Sequence, residues 1–133
     1  MTLGDYLAAA ARRPWEWGGW DCCIFPGDWA VTWGLGDPVA EWRGSYSSHA
    51  EAEALIYDAG GLVALWDRGL ASIGVARVEG VRPGDVGVIG WTDAQGDHEA
   101  GAIWSGKRWA LLCPAGVGYV SAEPLAVWGP RHG

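Results

Sequence analysis

Apolar residues recur at helical spacing over the first half of the chain and at strand-like spacing over the second, with the change near residue 71. Leu3, Tyr6, Leu7 and Ala10 fall on one face of a short helix over residues 3–12. Thr2 suits its N-cap, Arg12-Arg13 its C-terminal end, and Pro14 stops it. Cys22, Phe25, Trp29 and Val31–Thr32 predict a second helix to Trp33, capped by Asp21 and closed by Gly34 and Gly36. Pro26 falls at its fifth position and removes a backbone donor. Either the first turn is loose, or regular helix starts at Pro26. Residues 37–41 predict a short helical turn, and Ser47 or Ser48 caps a third helix from about His49 to Asp58. Gly60-Gly61 ends that helix, and residues 62–70 make a fourth that ends at Gly69.

Beyond residue 71 the pattern is strand and turn. Ser72–Val78 reads as a first strand, Val81–Asp85 as a turn, and Val86–Trp91 as a buried strand. Asp93–Asp97 reads as a polar hairpin loop before His98–Trp104. Ser105-Gly106-Lys107 turns the chain into Arg108–Cys113, and Gly116–Val120 and Ala126–Trp128 complete the sheet. Helices first and an antiparallel sheet second is an α+β arrangement. With no internal repeat or linker, residues 1–133 form a single domain.

Composition narrows the partners. A net charge of −7, with Lys107 as the one lysine, argues against nucleic acid and against binding to anionic lipid. No apolar run approaches membrane-spanning length, and the N-terminus does not read as a signal peptide. A soluble chain, not exported by the general route and not inserted in a membrane, is the expectation. Eleven tryptophans exceed what a core needs and favour a protein that docks onto others; a Trp-lined sugar groove is the competing reading. Three cysteines, two of them adjacent, imply no disulfide framework. CxxC and HExxH are absent, so neither a metal nor another cofactor is expected.

Candidate chemistry concentrates in Pro14–Phe25, a Trp- and Gly-rich loop that ends on Asp21-Cys22-Cys23 at a helix start. A thiol is only a few per cent thiolate at neutral pH, and a helix N-terminus or a nearby imidazolium lowers its pKa. Cys22 is therefore the candidate nucleophile, Asp21 caps the helix and holds the loop, and Cys23 faces the core. Trp17 and Trp20, with Trp15, line a groove or, more often for such residues, a core or docking surface. His49 belongs to the first turn of an exposed helix, His132 to the frayed terminus, and Asp85 to a turn.

Three pieces in order, Trp20-Asp21-Cys22, Pro83-Gly84-Asp85-Val86 and Ala100-Gly-Ala-Ile-Trp-Ser-Gly106, resemble the NlpC-like cysteine peptidases. These are papain-related enzymes that cleave peptidoglycan stem peptides. The order Asp-Cys-Cys, Gly36-Asp37-Pro38, Arg43-Gly44-Ser45-Tyr46 and Gly60-Gly61-Leu62 is similar, more closely, to short phage, prophage and gene-transfer-agent tail-region proteins. The resemblance spans roughly residues 14–128. It implies a papain-like NlpC-type fold, N-terminal helices packed on the sheet, with Cys22 as nucleophile. Ala100 stands where the family's His is expected, and His98, two positions earlier on the same strand face, takes the general-base role. A polar residue that orients the His is expected near residues 109–112, where Trp109 to Leu112 offer none. The implied function is a phage-type tail-tip component, assembled in the host cytoplasm with other tail-tip or hub proteins, that cleaves peptidoglycan stem peptides. The alternative is a catalytically degenerate domain kept as a structural tail-tip or hub protein.

Overall fold

The computed structural model describes residues 1–131, so His132 lies outside the described residues. Four helices come first: α1 (Leu3–Ala10), α2 (Ile24–Val31), α3 (His49–Asp58) and α4 (Leu62–Ala71). Five strands follow: β1 (Val86–Asp93), β2 (Gly96–Trp104), β3 (Trp109–Cys113), β4 (Gly116–Val120) and β5 (Pro124–Trp128). They form one antiparallel sheet in the order β4-β3-β2-β1-β5. The α+β class follows directly from the change of hydrophobic period.

Local chemistry explains the helix ends. Thr2 Oγ1 accepts from Asp5 N at 3.1 Å and the Asp5 carboxylate accepts from Thr2 N at 3.4 Å, a capping box. Ser48, not Ser47, caps α3 by accepting from Glu51 N at 3.1 Å. The loose first turn is the form that α2 takes. Phe25 N donates to Asp21 O at 3.0 Å, Pro26 brings no N–H to the Cys22 carbonyl, and regular helix runs from Ile24 to Val31.

Two expectations are corrected, and one turn is as expected. Ser72–Val78 is not a strand, because α4 continues to Ala71 and Gly74, at φ 79°, caps it. An isolated Arg77–Trp128 bridge, a bond from Val78 N to Val127 O (2.9 Å) and the Arg77 guanidinium over the Trp128 ring join that segment to β5. Residues 38–44 form turns, the short helical turn expected near 37–41: Asp37 Oδ1 accepts from Val39 N at 3.0 Å, and Arg43 N donates to Val39 O at 2.8 Å. The hairpin loop is shorter than expected, because β1 and β2 pair out to Asp93–Gly96 and leave only residues 94 and 95 between them.

Strand register sorts the sheet into two faces. Val86, Val88, Ile103, Ala110, Leu112, Ala126 and Trp128 join the main core with Ile24, Phe25, Leu65 and Trp66 from the helices. Ile89, Ala100, Ala102, Trp109, Leu111 and Val127 form a second, smaller core on the outer face. Gly87 makes room there for Trp109: a Cβ at that position would stand 2.8 Å from the indole. On the inner face Gly101 does the same for α2. Its Cβ would stand 3.0 Å from Pro26 Cγ and 3.2 Å from the Cys22 carbonyl oxygen, so the start of α2 rests on β2 at this glycine.

Candidate functional site

Asp21 organises the turn that carries the thiol. Its carboxylate is buried and accepts from Cys23 N at 2.9 Å, Ile24 N at 3.0 Å, Gly18 N at 2.7 Å and the Tyr46 hydroxyl at 2.6 Å. The first two bonds are those of an N-cap, the third folds the Gly18-Gly19 loop back, and the fourth ties in a separate loop. Arg43, three residues before Tyr46, anchors that loop by salt bridges to Asp28 at 2.6 Å and Asp37 at 3.0 Å.

Cys22 borders a cleft of about 550 Å³ between α3 and the β1–β2 hairpin. Trp17 also borders it, with His49, Glu53 and Tyr57 on the α3 side. The Trp17 indole stacks on the His49 ring, centroids 5.5 Å apart and planes 5° from parallel, and His49 Nε2 lies 2.8 Å from Glu53 Oε1. Trp20 is elsewhere. It is buried against Tyr6 and Phe25, with the Arg13 guanidinium 4.2 Å from its ring centroid, and belongs to the core instead of the cleft.

The half-buried Cys22 thiol has its pKa lowered, chiefly because the Cys23 thiol donates to it, against opposing contributions from burial and from the Asp21 charge. The fully enclosed Cys23 is pushed well up, first by that same hydrogen bond and then by burial. The shared hydrogen bond thus separates the neighbours: Cys22 is the more readily ionised thiol and Cys23 the less.

The imidazole expected to serve Cys22 is engaged elsewhere. His98 pairs across the hairpin with Trp91, its ring stacks on that indole at 5.4 Å, and its Nε2 lies 2.7 Å from Asp93 Oδ1. His98 shares a face with Ala100, as the sequence implies, and Ala100 belongs to the outer core. His98 therefore meets the cleft at its rim, while the residue that follows Gly101 along the inner face is Glu99. On β3 the inner positions are Ala110 and Leu112, both apolar and buried.

Asp21, Cys22 and Cys23 each bring a potential ligand atom, all within 4.8 Å of one another. With four donors already on the Asp21 carboxylate, an ion would meet only two sulfurs, short of the four ligands that a structural zinc takes. Cys113 is exposed at the end of β3.

Sequence reasoning missed Glu99, Tyr46 and the place of His49 in the cleft. Gly101 carried the signal for Glu99, since an interior strand glycine marks close backbone approach and so identifies the face turned to α2. Tyr46 has a weaker one, as the single aromatic of an otherwise polar Arg-Gly-Ser-Tyr loop.

No curated protein and no solved structure matches the chain. A family model described as "Domain of unknown function (DUF6950)" matches residues 1–129, and the chain belongs to that family.

Proposed function

We propose that the chain is a tail-tip or hub component of a phage-type particle, built on an NlpC-like papain-type frame, whose cleft holds a ligand without cleaving it. One observation carries the absence of turnover. The His98 imidazole is tied to Asp93 and Trp91 on the outer face, and the inner position next to Gly101 is Glu99. A carboxylate accepts a proton from a thiol poorly at neutral pH. Support for the frame comes from the way the family-like motifs converge. Asp21 meets Tyr46, Arg43 meets Asp37, and the Cys22 turn rests on the strand with the Gly101 motif. In this reading the partners are other tail-tip or hub proteins and the location is the virion tail tip, after assembly in the host cytoplasm.

The second reading, a peptidase for peptidoglycan stem peptides, is favoured by the lowered Cys22 pKa at an open cleft. The Cys22 thiolate would attack the amide carbonyl, the C–N bond would break as the leaving amine takes up a proton, and water would hydrolyse the acyl-enzyme to the acid and the free thiol. Incubation with purified peptidoglycan separates the readings. The expected outcome is no peptide release that depends on Cys22. Release abolished by both Cys22→Ala and His98→Ala, in folded proteins, replaces the first reading with the second. Mass spectrometry of purified particles tests the location, and absence of the chain from them ends the tail-tip assignment.

A further inference from the structure

We propose that Tyr46 is the positioning residue of the Cys22 thiol. Its hydroxyl holds the buried Asp21 carboxylate against the Cys22–Ile24 turn and takes up part of that carboxylate's negative charge.

Three observations converge on this role. Asp21 is 1% exposed and, among the described residues, meets no cation, so neutral donors balance its charge there, the Tyr46 hydroxyl, at 2.6 Å, being the closest. Oxygen and sulfur of Asp21 and Cys22 lie within 4.8 Å, close enough for any charge left on the carboxylate to act on the thiol. The loop that carries Tyr46 is fitted to the Cys loop without slack. Gly44 N donates to Gly18 O at 2.9 Å, and a Cβ on Gly18 would stand 2.2 Å from the Tyr46 carbonyl oxygen. Burial above all pushes the Tyr46 hydroxyl far up, so it stays a donor across the working pH range.

Other titratable groups also face the thiol. Cys23 lies on the same turn and His49, Glu53 and Tyr57 on α3, while Cys113, on β3, is within electrostatic reach of Cys22. Asp97, His98 and Glu99 lie on β2. A Tyr46→Phe substitution leaves all of these in place, so a change in Cys22 ionisation between the two proteins reports the Asp21 contact. The inference rests on neither reading of the cleft, because alkylation reads the thiol without a substrate. Its failure would leave the tail-tip proposal untouched.

The test follows iodoacetamide labelling of Cys22 against pH by mass spectrometry, in a Cys113→Ser background. In Tyr46→Phe the half-point rises by roughly half a pH unit, and labelling at pH 7 slows about threefold. A merely structural role predicts the opposite: a loosened turn exposes the thiol and labels faster at every pH with the half-point unmoved. Tyr6→Phe is the control, since that buried hydroxyl donates to Phe25 O on another side of α2 and leaves the half-point unchanged. An unmoved half-point in Tyr46→Phe, or an equal shift in Tyr6→Phe, overturns the proposal. Should Tyr46→Phe not fold, replacement of the four tyrosines by 3-fluorotyrosine carries the test, because a more acidic hydroxyl is a stronger donor. The half-point then falls; a rise or no change overturns the proposal.

Discussion

Asp21 and Asp85 are the two buried carboxylates among the described residues, and the fold treats them in opposite ways. Asp85 faces a guanidinium: Arg131 donates to its two oxygens at 3.0 and 2.7 Å, and Arg82 N adds a third bond at 2.8 Å. Gly129 leaves the space this needs, since a Cβ there would stand 1.9 Å from Asp85 Oδ1. The Asp85 charge is cancelled, and the pair fastens the end of the chain to the turn before β1. Asp21 has four donors and, among the described residues, no cation, so its charge stays in the site beside a thiol. A carboxylate that serves only to hold a fold is safest neutralised, whereas one left charged next to a sulfur influences that sulfur's chemistry.

Removing each carboxylate tests the contrast most directly. Asp21→Ala strips a helix cap and orphans three backbone N–H groups and a buried hydroxyl, so urea unfolding should show a loss of about 3–5 kcal/mol. Asp85→Ala should cost less, about 2–3 kcal/mol, because the Arg131 side chain is 27% exposed and can rehydrate. A double-mutant cycle with Arg131→Ala should recover about 1–2 kcal/mol of coupling between that pair. If Asp85→Ala proves the costlier change, the two carboxylates do not differ in the way described.

The thiol pair sharpens the same comparison at smaller scale. With Cys23 as its chief hydrogen-bond donor, wild-type Cys22 should alkylate with a half-point below the ordinary thiol value of about 8.5. Cys23→Ala removes the donor and should move the half-point up toward that value, while Cys23→Ser, which keeps a donor, should fall between. A half-point that ignores residue 23 would leave the helix N-terminus as the main influence on the thiol.

Much of this was legible from residue pattern. The helical period gave α1, α3 and α4, and Asp21 announced its cap by preceding an apolar run. What escaped reading depended on long-range geometry. Strand period placed His98 and Ala100 on one face but could not say which face meets α2, and that is decided by the approach of Pro26 and the Cys22 carbonyl to Gly101. The apolar residues of Ser72–Val78 suggested a strand, yet tertiary packing extends α4 and buries Val75 just past the turn at Gly74. The Asp21–Tyr46 bond spans 25 residues, beyond the range of any local pattern.

The smallest expected effect belongs to a surface carboxylate, Asp67, which stands apart from both buried ones. Bonds from Arg77 above all hold its pKa below the usual carboxylate value, and Trp128 Nε1 donates to it at 2.9 Å. A depressed folded-state pKa contributes stability above the unfolded carboxylate value of about 4, and that contribution is lost as pH falls through the folded value. Asp67→Asn keeps an acceptor for the Trp128 indole and removes only the charge. Its thermal midpoint should lie slightly below wild type at pH 7 and converge on it as the pH drops below about 4. Added salt should narrow the gap at pH 7, because Asp67 is 40% exposed and its ion pair is screened. Asp21 has no ion pair to screen, so the loss in Asp21→Ala should hardly respond to the same salt. A salt-sensitive loss at Asp21 would mean that a cation, and not neutral donors, balances the carboxylate beside Cys22.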